Sequence, residues 1–110
     1  MWLCTKLGFF SIVQKDADIF HIRARCREDL EQLSTAAGIG TPVSSFPGSD
    51  YQWRILCPAA DLPRFMQAII ASVDYGNFKN AIAADSLQRK KLASYHSIHH
   101  EMVQWQQEQG

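Results

Sequence analysis

A length of 110 residues, 46% hydrophobic and 20% charged, excludes a disordered chain and predicts one domain, residues 1–110, able to build its own core. Eleven basic side chains balance eleven acidic ones, and the halves 1–57 and 58–110 are each balanced too. With no basic excess, sequence-independent binding to nucleic acid is not expected.

Three cysteines, Cys4, Cys26 and Cys57, are an odd number without CxxC spacing, so a reduced cytoplasmic protein is expected and a disulfide framework is not. The opening MWLCTKLGFFSIV is interrupted by Lys6 and has neither a basic leader nor a small-residue cleavage site, so no secretory signal is expected. No run reaches the roughly 18 apolar residues that a membrane span requires.

Residues 2–14 are rich in aromatic and β-branched types and predict a strand, bent at Gly8. After the polar turn Lys15–Asp18, residues 19–25 (IFHIRAR) alternate: Phe20, Ile22 and Ala24 point one way, and Ile19, His21, Arg23 and Arg25 the other. A helix is expected over 27–37, with Glu28 and Asp29 in its first turn, Leu30 and Leu33 on one face and Gly38 as its stop. Val43–Phe46 and Tyr51–Cys57 predict a second strand pair around the turn Pro47–Asp50. Asp61 is the expected N-cap of a helix carrying Leu62, Phe65, Met66, Ile69, Ile70 and Val73 at helical spacing. A last helical region should run to about Gln107, docking through Leu92, Tyr95, Ile98, Met102 and Trp105. The order ββαββαα predicts an α+β two-layer sandwich, an antiparallel sheet with helices on one face, loosely ferredoxin-like.

Four segments in order carry a resemblance: GFFSIV at Gly8–Val13, IRARCREDLEQL at Ile22–Leu33, DYQWR at Asp50–Arg54 and DYGNFK at Asp74–Lys79. The chain resembles a family of short bacterial proteins of about this length with GF(F/Y)S(V/I)V, RAR…DL, DYx(Y/W)R and DYxNFK motifs. That family has no assigned activity, so the resemblance implies none here.

The sharpest candidate site is His21, Arg23, Arg25 and Arg54. If both strand pairs share one sheet, Arg54 projects to the same face as Arg23 and Arg25. Guanidinium groups gathered there need carboxylates or a bound anion between them. A solvated face neutralised by Asp50 or Glu101 is the plain account; an acidic partner or anionic ligand is the functional one. Open-sheet RNA binders combine basic residues with exposed aromatics, but LGFFSIV lacks their signature.

His96 and His100 stand one helical turn apart, a weak metal pair with His99 beside them and no third ligand, so no metal and no cofactor is expected. Asp74, Asn77 and Lys79 form a candidate ligand loop. The plain account closes a helix at Gly76, packs Tyr75 and Phe78 into the core and caps the next helix with Asn77. No catalytic set, phosphate loop or nucleophile motif is present, which points away from an enzyme. The expected function is a small interaction module whose basic face meets an acidic protein or a second copy as a homodimer. Its alternative is an enzyme or binding protein for a phosphorylated or carboxylated metabolite, with His21 as acid or base. A modulator of a host complex, encoded on a mobile element, is a third and lesser expectation. Trp2, Trp53 and Trp105 offer aromatic surface for an interface.

Overall fold

In a computed structural model describing residues 1–110, five strands and four helices make an α+β protein. The chain divides into two compact units, Met1–Asp74 and Tyr75–Gly110.

The first unit holds β1 (Trp2–Cys4), β2 (Phe9–Asp16), β3 (Ile19–Ala24), α1 (Arg27–Ala37), β4 (Ser44–Ser45), β5 (Trp53–Pro58) and α2 (Leu62–Ala71). The sheet is antiparallel throughout, in the order β1-β2-β3-β5-β4. β3 and β4 therefore run parallel with β5 between them, and α1 joins them in a split β-α-β arrangement of the kind ferredoxin-like sheets also contain.

The expected first strand is divided in two. The Thr5 hydroxyl accepts from the amides of Leu7 (3.1 Å) and Gly8 (3.0 Å) and donates to the Gly8 carbonyl (2.7 Å). This clamp turns the chain back, so that Trp2–Cys4 pairs with Phe9–Ser11. The β2–β3 hairpin follows, with a register shift between Gln14 and Asp16 that leaves Lys15 as an extra residue.

Alternation puts Phe10, Ile12, Ile22, Ala24, Ile55 and Cys57 on one sheet face, and that face is the core. Leu30 and Leu33 of α1 and Phe65 and Ile69 of α2 close it. α1 has the predicted bounds. Gly38 ends it with a left-handed φ of 68°, and the amides of Gly38 and Ile39 bond back to Thr35 and Ser34. α2 is shorter than expected. Asp61 makes no side-chain cap, and the helix closes at Ser72, whose hydroxyl donates to the Ile69 carbonyl at 2.6 Å, rather than at Gly76. Ile70, within α2, and Val73, beyond its end, were both expected on the buried stripe and are exposed.

Cys57 is fully buried, and desolvation, reinforced by Asp61, pushes its thiol up from 9.0 to about 11. Two results are expected. Alkylation of the native protein at neutral pH modifies exposed Cys4 and spares Cys57. Because the folded value is raised, the thiol's stabilisation is complete below pH 9.0 and is lost as pH rises towards about 11. Denaturation midpoints across that window, compared with Cys57→Val, check it; an identical alkaline slope in the variant would refute the assignment.

The second unit holds α3 (Phe78–Ala84) and α4 (Leu92–Gln109). Asn77 caps α3 as predicted, its side chain accepting from the Asn80 amide at 2.9 Å. Tyr75, Phe78 and Tyr95 form an aromatic run, with ring centroids 5.9 and 5.0 Å apart. Asp85 orders the turn before α4 by accepting from the amides of Leu87 and Gln88. The predicted stripe on α4 differs in exposure along its length. Tyr95 is buried, while Ile98, Met102 and Trp105 are exposed.

Candidate basic site on the sheet

The face opposite the core carries the arginines. Register sets Arg23 of β3 directly across from Arg54 of β5, with His21 two pairs further along, on the same face, opposite Leu56. On the other side of β3, Ser11 lies opposite Arg23 and Val13 opposite His21. Arg25, just beyond β3, reaches Asp50, with 3.0 Å to its carbonyl and 3.2 Å to its carboxylate.

The four predicted residues thus gather, but Asp50 neutralises only Arg25. The ion pairs are Lys6–Asp74, Arg25–Asp50 and Arg27–Glu31; none includes Arg23 or Arg54. Glu101 joins none of them. Neutral groups take the place of carboxylates. Arg23 Nη2 donates to Ser11 Oγ at 2.6 Å, Arg54 Nε to the Tyr51 carbonyl at 3.3 Å, and Arg54 Nη1 to His21 Nδ1 at 3.1 Å. Arg23 Nε is buried with no hydrogen-bond partner.

Aromatic rings do the rest. The guanidinium carbons of Arg23 and Arg25 stand 4.6 and 4.1 Å from the Tyr51 ring centroid. That of Arg54 lies 5.0 Å from the Phe46 ring. Each contact is within cation–π range and holds a cation without neutralising it. Tyr51 is only 3% exposed, so its ring is a fixed shelf. Through ring and carbonyl together it touches three of the four predicted basic side chains.

Tyr51, Phe46 and Ser11 were absent from the sequence-predicted site. Alternation signals Ser11, which shares the strand face of the arginines. Nothing in spacing signals the two rings, because their positions depend on the loop between β4 and β5.

His21 is held below the usual histidine range, first by burial and then by Arg54, Lys15 and Arg23, with Asp16 opposing them. Since arginine can only donate, His21 Nδ1 is the acceptor of the Arg54 bond, and the imidazole is neutral with its proton on Nε2.

The candidate loop residues have separate partners. Asp74 pairs with Lys6 in the first unit. In the second, Asn77 is committed to its cap, and Lys79 Nζ lies 3.5 Å from His96 Nδ1. His96, His99 and His100 are all exposed, and no three His, Cys, Asp or Glu side chains cluster to hold a metal. Among the tryptophans, Trp2 and Trp105 are exposed, whereas Trp53 packs against the core with Arg27 5.7 Å from its ring. No helix is long and apolar enough to cross a membrane. Comparison with protein-family models, with curated proteins and with solved structures finds no match for this chain.

Proposed function

We propose that the protein is a non-enzymatic binding module of the bacterial cytoplasm, whose sheet face of His21, Arg23, Arg25 and Arg54 docks an acidic surface of a protein partner. One observation carries this reading: Arg23 and Arg54 oppose each other across paired strands with no carboxylate between them. Two such cations repel, and an incoming carboxylate removes that repulsion as it binds. A homodimer joined symmetrically through this face would set arginine against arginine, which favours an acidic partner over a second copy.

A second reading has its own support. The buried Nε of Arg23 has no hydrogen-bond partner, and an oxyanion of a phosphorylated or carboxylated metabolite that displaced its surroundings would supply one.

Charge reversal tests the face. Arg23→Glu and Arg54→Glu should each weaken binding of a polyaspartate peptide by about 2 kcal/mol, roughly thirtyfold, with the circular dichroism spectrum retained. Equal reversal at Arg89, exposed in the second unit, should change affinity less than about threefold. Unchanged binding in both sheet variants would rule the face out. Native mass spectrometry of untagged protein separates the readings: a stoichiometric organic anion on the isolated chain favours the metabolite.

A further inference from the structure

We infer that anion binding at the Arg23–Arg54 face is coupled to proton uptake by His21, making the face a proton-linked site; this rests on the binding reading above. The neutral Nδ1 of His21 occupies Arg54 Nη1 at 3.1 Å. An imidazolium has a proton on both nitrogens and cannot accept, so protonation turns this bond into a donor facing a donor and a cation facing a cation.

The charged surroundings are few. Arg54 comes from β5, Arg23 from the same strand as His21, and Lys15 and Asp16 from β2. The residues directly across from His21, Val13 and Leu56, carry no charge, and the Phe46 ring lies 6.3 Å away by centroids. Three cations thus oppose a charge on His21 and one carboxylate favours it.

A bound carboxylate reverses this balance. It neutralises Arg54 and Arg23, gives Arg54 Nη1 a charged acceptor in place of the imidazole, and can accept from the imidazolium itself. Proton uptake then tightens the anion, and by linkage the anion raises the His21 pKa through the same free energy. Without the anion the effect on stability has the opposite sense. The folded state resists a proton that the unfolded chain accepts, so stability falls as pH drops below the ordinary 6.5 towards the lower folded value.

The experiment measures the Kd for polyaspartate at pH about 7.5 and about 5.5, a window in which its carboxylates stay ionised. The His21 imidazole is followed by NMR with and without saturating peptide. Binding about fivefold tighter or more at the lower pH is expected, with a rise in the His21 pKa on saturation. His21→Asn, whose amide oxygen can still accept from Arg54, should bind without that pH dependence. Equal wild-type affinity at both pH values would overturn the coupling and leave the binding reading standing. No binding at either pH would overturn both. A pH dependence that survives in His21→Asn would assign the proton to another group and also overturn the inference.

Discussion

Gly8→Ala is expected to destabilise the first unit by about 3 kcal/mol, from overpacking and a disturbed, partly buried hydrogen bond together. A Cβ at Gly8 would lie 2.5 Å from Asp29 Cγ and 2.6 Å from Asp29 Cβ, distances that real Cβ atoms do not tolerate. The neighbour has nowhere to go. Asp29 is 1% exposed, and its Oδ2 accepts from the Phe9 amide at 3.1 Å. Swinging the carboxylate aside strands that amide, while moving the helix pulls Leu30 and Leu33 out of the core. Gly48→Ala is the control. Gly48 has a left-handed φ of 85° but open space around it, so it should lose only about 1 kcal/mol of backbone strain. Urea denaturation of both variants decides the matter. A loss at Gly8 no greater than at Gly48 would mean that Asp29 yields easily, and the close approach of α1 to β2 would lose its explanation.

Features that depend on period alone were legible in the sequence. The α1 bounds follow from Leu30, Leu33 and Gly38, and the two faces of β3 follow from IFHIRAR, because each signal repeats at the spacing of its own backbone. Features set by one hydroxyl bonding to backbone within three residues were not legible, because serine and threonine carry no periodic signal. The Thr5 hydroxyl divides the first strand, and Ser72, not Gly76, closes α2. The apolar stripe of α4 was legible as a pattern, yet a pattern does not say what covers it, and Ile98, Met102 and Trp105 are exposed.

The site divides in the same way. Alternation explains why His21, Arg23 and Arg25 share a side. Only the β3–β5 register brings Arg54 level with Arg23. Sequence arithmetic looks for a carboxylate beside each guanidinium, whereas here a serine hydroxyl, a histidine nitrogen, a backbone carbonyl and two aromatic rings serve. Acceptors of this kind hold the cations in place and leave their charge available, the property a docking face for an acidic surface needs.

Tyr51 is therefore the residue whose loss should matter most to the face. Tyr51→Ala is expected to cost about 3–5 kcal/mol, the usual range for truncating a buried aromatic. It should also weaken polyaspartate binding, because Arg23 and Arg25 lose the ring at 4.6 and 4.1 Å that orders them. Stability and binding can be separated by two gentler changes. Tyr51→Phe keeps the ring and should leave both within about 1 kcal/mol of wild type. Tyr51→Leu keeps much of the apolar volume and loses the ring's negative face, so affinity should fall further than packing predicts. A double-mutant cycle of Tyr51→Leu with Arg25→Ala should return a coupling of about 0.5–2 kcal/mol. A coupling near zero would reduce the stacked guanidiniums to neighbours by accident. A Tyr51→Phe loss as large as that of Tyr51→Ala would transfer the role from the ring to its hydroxyl. Either result would remove the aromatic shelf from the account of why positive side chains gather on one side of a neutral chain.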